Sequence, residues 1–216
     1  MAKYQDNAVF LPGRGAVLIA DPLAGMPTLD DVDAWVKQGA LGDIKAGSAT
    51  YTPIGHTSLD ELPKIDTDTE GGEVKGSWEN PSLRQTTTTT TDSITVTPIQ
   101  WTEEALKHRF GADGTVNGET GVFQIPSIYK ATEVSILIVV LDSAGTLCLQ
   151  FNRAASAPEG GIEPDVENFL GIPTKYTILN PSNAPRGHVM HAGLKAEIGG
   201  SEPVGEAAET EDAATF

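Results

Sequence analysis

The stretch RQTTTTTTDSITVTPIQW, Arg84 to Trp101, reads as a strand. Threonine's branched β-carbon disfavours helix and fits the pleated surface of a sheet. Side chains alternate between faces along a strand. One face therefore carries Thr87, Thr89, Thr91, Ser93, Thr95 and Thr97, all hydroxyls, with neither charge nor apolar bulk. The other face opens with Thr86, Thr88, Thr90 and Asp92 and turns apolar at Ile94 and Val96. The pattern predicts a long strand that enters a core at its C-terminal end and is wet on both sides at the other.

The flanking sequence extends the β reading. EVSILIVVLDSAGTLCLQF (133–151) predicts a hairpin turning across Asp142–Gly145. Its first arm, Val134–Leu141, is apolar on both faces apart from Ser135, so both sides should be covered. Shorter strands are expected at Gly15–Ala20, within Ala49–Leu59, and at Gly121–Ile125, Lys175–Leu179 and Gly187–Lys195. MPTLDDVDAWVKQG (26–39) predicts a short helix with Thr28 as N-cap, Asp31 as its reciprocal acid and Gly39 as the stop.

A second helix is expected over 102–110. Thr102 caps it, Glu103 and Glu104 sit in its first turn, and Lys107, His108 and Arg109 in its last, an order that complements the helix dipole. Trp101 and Leu106 have the spacing of a hydrophobic staple, and Leu106 and Phe110 should face the sheet. Asp60–Gly76 reads as a long acidic loop and 154–168 as a loop rich in Pro, Gly and Glu. The organisation expected is an arm over 1–14, a β domain over 15–198 and a polar, acidic tail over 199–216. Strands, one good helix and more strands mean a mainly β (α+β) fold, a sandwich or partly closed barrel with a flanking helix.

The chain of 216 residues is long enough for one domain with a proper core. Thirty acidic and 14 basic residues give a formal charge of −16, which repels phosphate and argues against ordinary sequence-specific nucleic-acid binding. A single cysteine, Cys148, excludes an internal disulfide; in the run TLCLQF it reads as a small buried hydrophobe. No signal-peptide pattern is visible, and the apolar run Ile136–Leu141 is far shorter than the ~20 residues of a membrane span. A soluble protein is expected.

Nothing reads as a catalytic, cofactor or metal constellation. DTDTEGG (66–72) has the spaced acids of a calcium loop, but Ser77 stands where a bidentate Glu is needed. His188 and His191 should fall on opposite faces of a strand. The glycine-rich LPGRG and GTVNGETG lack the strand-to-helix setting of a phosphate loop. Trp35, Trp78 and Trp101 read as core or subunit-contact residues.

Several of these segments together carry a resemblance. GAVLIADPLAGMPTLDDVDAW, YTPIGHTSLDEL, the acidic stretch and GSWENPSLRQTTTTTTDSITV, followed by a helix, resemble the major tail proteins of long-tailed, non-contractile bacteriophages, closest to those infecting actinobacteria. The similarity covers residues 8–195. It implies hexameric rings of sandwich-like subunits, stacked as a tail tube through which the genome passes without specific binding. It implies no enzyme activity and no cofactor, and a place in the virion tail after synthesis in the bacterial cytoplasm. Its partners would be further copies of the chain and other tail proteins, namely tape measure, tail terminator and distal tail or baseplate proteins, with no membrane.

Carried onto this chain, the resemblance implies inter-ring contacts from the 1–14 arm and the 60–76 loop, with Asp60, Glu61, Leu62, Asp66, Asp68, Glu70 and Trp78 as the contact residues. The hydroxyl face of Thr87, Thr89, Thr91 and Ser93 then suits the lumen, because Lys or Arg there would hold phosphates. The same face is also suited to the outer surface or a ring-to-ring seam. The competing reading is a β-sandwich adhesion module on a virion surface that recognises a glycan or host surface. The scarcity of loop aromatics counts against it. An enzyme would need clustered acid, base and nucleophile, which the sequence does not display.

Overall fold

The computed structural model describes residues 9–143 and 145–194. The expected acidic tail 199–216 and the first eight residues of the expected arm lie outside that range. The described chain is mainly β, with strands β1 (Arg14–Ala20), β2 (Ile44–Ala46), β3 (Ala49–Pro53), β4 (Lys64–Gly71), β5 (Val74–Lys75), β6 (Arg84–Gln85) and β7 (Thr88–Val96). These are followed by β8 (Thr115–Asn117), β9 (Val122–Gln124), β10 (Glu133–Asp142), β11 (Gly145–Pro158), β12 (Thr174–Ile178) and β13 (Gly187–His191). The helices are α1 (Leu29–Lys37) and α2 (Glu103–Phe110).

One antiparallel sheet dominates, in the order β2-β3-β1-β10-β11-β12-β7-β4, with β13 also paired to β11. The expected hairpin forms its centre, with Asp142 opposite Gly145 and Ile138 opposite Leu149. As the two-faced apolar pattern requires, β10 buries both sides. Ile136 and Ile138 join Val17, Ile19, Ile94, Val96, Tyr176 and Ile178 on one face. Leu137 and Val139 join Leu18, Tyr51, Cys148 and the α1 residues Val32 and Trp35 on the other. Each fully buried aliphatic side chain contributes about 1.5–3 kcal/mol relative to exposure.

The first of these cores is enclosed by the sheet itself. Residues following β3 and β7, strands near opposite ends of the order, hydrogen-bond to each other: the amide of Ser58 donates to the carbonyl of Thr97 at 2.9 Å, and that of Ile99 to His56 at 2.8 Å. The sheet therefore curls, and no closed barrel forms among the described residues. The second core is covered by α1, whose capping box is the one read from sequence. Thr28 Oγ1 accepts from the Asp31 amide at 3.2 Å, and Asp31 accepts from the Thr28 amide at 3.1 Å.

Four sequence expectations need correction. The Asp60–Gly76 acidic segment is mostly strand rather than loop: β4 pairs along its whole length with β7, from Lys64 opposite Thr95 to Gly71 opposite Thr88. Alternating Thr and acid side chains hid a strand that is exposed on both faces for most of its length and so has no apolar period. The single strand expected from Arg84 is two, because Thr86 turns aside to donate through its amide to Glu73 at 2.9 Å. The loop expected from 154 begins only after β11 ends at Pro158.

The fourth correction is the face of α2. It buries Ala105, His108 and Arg109, while Leu106 and Phe110 are only half-buried. Arg109 can be buried because Nη1 donates to the carbonyls of Glu159 and Pro173, both at 2.7 Å, and Nη2 to Gly160 at 2.8 Å. Trp101 is 46% exposed and its indole N–H donates to the Leu170 carbonyl at 3.1 Å.

Candidate functional site

The distinctive surface is the ribbon formed by β4 and β7. At its root, Ile94 and Val96 are buried and Ser93 pairs opposite Thr177 of β12. The β12 pairing stops at Ser93, so Thr88–Asp92 pair with β4 alone. A two-stranded ribbon with both faces in water is marginal by itself and presents unpaired backbone at its free edges.

Register decides what each face displays, because directly opposed residues share a face. Thr91 lies opposite Asp68, Thr89 opposite Glu70 and Ser93 opposite Asp66. The hydroxyl strip is thus interleaved with carboxylates from its neighbour, forming one polar, anionic surface. From sequence, Thr89 and Thr91 are candidates for a lumen face, an outer surface or a ring seam, and Asp66, Asp68 and Glu70 are candidates for a ring contact; the fold brings these two sets together on one face. Ser93 takes no part in the exposed strip, being only 3% exposed, and Thr87 lies in the exposed connection between β6 and β7. On the opposite face Asp92 accepts from Thr67 Oγ1 at 2.6 Å and is ion-paired with Arg186, which fixes the root of the ribbon to the segment before β13.

The ribbon ends in a second, smaller ladder. Gly71 and Gly72 take φ of +85° and +76°, a left-handed pair that redirects the chain into β5. A Cβ on Gly71 would lie 2.4 Å from the Thr87 carbonyl oxygen. Between β5 and β6 the loop is held by its own bonds: the Ser77 amide donates to the Asn80 carbonyl at 2.8 Å, and the Ser82 amide to Asn80 Oδ1 at 3.0 Å. Ser77 Oγ donates to Glu79, holding that carboxyl below its usual range. Trp78 projects from this loop 99% exposed. Asp60, Glu61 and Leu62 sit apart from it, before β4, where they line a cleft of about 1120 Å³ together with residues 159–173.

Among the described residues no group of three His, Cys, Asp or Glu is placed to hold a metal ion, and no helix is long and apolar enough to cross a membrane. His188 faces Gln150, with Nδ1 2.8 Å from Oε1, and His191 packs edge-on against Phe10. Cys148 is fully buried and its thiol is pushed up to about 12 by desolvation. Sequence reasoning missed three features of this candidate surface: the Asp68–Thr91 and Glu70–Thr89 rungs, the Lys75–Arg84 rung of the small ladder, and the 159–173 wall of the cleft. The first two depend on strand register; the last is a loop wall whose only local signal was its acid and glycine content.

Fold and surface together define a β-structural protein whose exposed chemistry sits on a projecting antiparallel ribbon. The profile described as phage tail tube protein matches residues 1–197. The chain belongs to that family. It is 30% identical over 180 residues to the major tail protein Gp23 of Mycobacterium phage L5, covering 81% of this chain and 86% of that protein. It is 27% identical over 184 residues to the major tail protein Gp23 of Mycobacterium phage D29, with the same coverage. It is therefore a structural component of the virion tail and not an enzyme.

Proposed function

We infer that this chain assembles into hexameric rings that stack into the tail tube, leaving a lumen through which the genome is ejected. In this reading the subunit is the sandwich-like unit of that family, and sheets of adjacent copies join edge to edge around the bore. The observation that carries it is the β4–β7 ribbon: eight paired rungs, exposed along most of their length and free at both edges beyond β12. A monomer gains little from ordering such a ribbon; a neighbour that pairs with or covers it repays the cost.

The lumen assignment falls on Thr87, Thr89 and Thr91, with Asp68 and Glu70 on the same face as the two strand threonines. A wall of hydroxyls and carboxylates gives a passing polyanion no cationic foothold. The arm over 1–14 and Trp78 contribute contacts between rings. The tape measure, tail terminator and distal tail proteins meet the ends of the tube.

The test is electron microscopy of the purified chain in negative stain at high concentration, beside a variant lacking residues 73–86. That deletion leaves Gly72 and Thr87 as a short turn joining β4 to β7. Wild-type tubes and a folded, non-assembling deletion variant are expected. Discrete particles from the wild type under every condition would refute the tube, and normal tubes from the deletion variant would remove the ribbon tip from assembly.

A further inference from the structure

The small ladder at the ribbon tip places Lys75 directly opposite Arg84. Like charges facing each other across two strands are destabilising. Both residues are exposed, and neither side chain has an ion-pair or hydrogen-bond partner among the described residues. In a chain with 14 basic and 30 acidic residues, two uncompensated cations on one rung are conspicuous. Exposed Val74, Trp78 and Leu83 flank them, 58%, 99% and 64% accessible. The loop bonds described above preform this tip, which lowers the entropy lost when it docks.

The cleft before β4 has the complementary character. Its lining includes the carboxylates of Asp60, Glu61, Asp66, Glu159, Glu163 and Asp165. Lys64, the one cation among the described lining residues, is already held by Asp66 at 2.8 Å. Exposed Leu62 and Phe169 supply apolar surface at the same place, 56% and 86% accessible. Asp165 accepts from the Glu167 amide and Asn168, which holds its carboxyl below the usual range and so charged.

The tip cannot reach its own cleft along the ribbon. The cleft lies at the Lys64 end of β4 and the tip beyond its Gly71 end, a separation of roughly 23 Å at about 3.3 Å per residue. We propose that the Lys75–Arg84 tip of one copy docks in the acidic 58–66/159–173 cleft of the next, with Trp78 seated against Phe169 and Leu62. Because tip and cleft are different surfaces, the contact is head-to-tail and propagates from copy to copy. The inference rests on the self-assembly reading above and names the pair of surfaces that joins two subunits.

Sedimentation velocity of the full chain, with circular dichroism to report folding, tests this on two charge-reversed variants. Lys75→Glu/Arg84→Glu and Asp60→Lys/Glu159→Lys/Glu163→Lys should each weaken self-association roughly tenfold or more, and an equimolar mixture of the two should restore it, since the acidic tip then meets a cleft in which cations outnumber carboxylates and the basic tip meets an unaltered acidic cleft. Zero-length carbodiimide cross-linking of the wild type should join Lys75 to a cleft carboxylate of another copy. Undiminished association of the first variant, failure of the mixture to associate better than either component, or absence of that cross-link overturns the docking. Tubes formed without this pattern keep the tube and reject the docking; the mixing pattern in oligomers without tubes does the reverse.

Discussion

His108 is 2% exposed beneath α2, with Nδ1 2.8 Å from the hydroxyl of Tyr176. Burial keeps the tyrosine protonated, and the hydroxyl and the ring share one hydrogen bond whose donor is set by the imidazole tautomer. Burial also lowers the histidine from 6.5 to about 4. The folded state thus binds fewer protons than the unfolded chain between those two values. The stability that comes from keeping this ring neutral is fully present above about 6.5 and is lost as pH falls towards 4, up to roughly 3 kcal/mol. The melting temperature followed by circular dichroism should fall across that window. His108→Gln, which cannot titrate, should flatten the fall even if its starting stability is lower; an unchanged slope would remove His108 as its source. The sequence placed this histidine in the last turn of a helix, but its burial depended on which helix face meets the sheet.

At the scale of elements, α2 serves as a clamp as well as a cover. Arg109 donates to three carbonyls at both ends of the 159–173 wall, so one side chain fixes the loop that bounds the acidic cleft. Hydrogen bonds that involve a charged group contribute about 1.5–3 kcal/mol each, net of the water they replace. Arg109→Met keeps the packing stem and removes the donors. Faster glutamyl-endopeptidase cleavage after Glu163 or Glu167 is expected, with the β10–β11 core still protected; an unchanged cleavage rate would show that the loop is held by other contacts. The helix itself, its cap and its charge order were legible in sequence. Its buried face was not, because an arginine satisfied by three distant carbonyls looks like a solvated residue until those carbonyls have a position. For the same reason β4 was read as loop: hydrophobic periodicity marks strands with one covered face, and this one is exposed on both for most of its length.

For the whole molecule, the proposed tube requires that copies meet one another while nucleic acid slides past them, and the net charge of −16 and the hydroxyl–carboxylate ribbon fit that requirement. Thr89→Lys/Thr91→Lys should leave folding intact, since both positions are exposed in the monomer. Phage particles built with that variant should release DNA more slowly, increasingly so at low salt. Release at the wild-type rate would place these threonines away from the bore. By itself the sequence determined the β class, the central hairpin, both helix caps and the family, because each is written in local periodicity, turn chemistry or direct similarity. Only the tertiary structure decided that Asp68 and Glu70 stand beside Thr91 and Thr89, that Lys75 faces Arg84, and that residues 159–173 wall a cleft near Asp60. Those are facts of register and of chain segments far apart in sequence. A one-residue slip between β4 and β7 would have put every carboxylate on the other face without changing a letter of either strand.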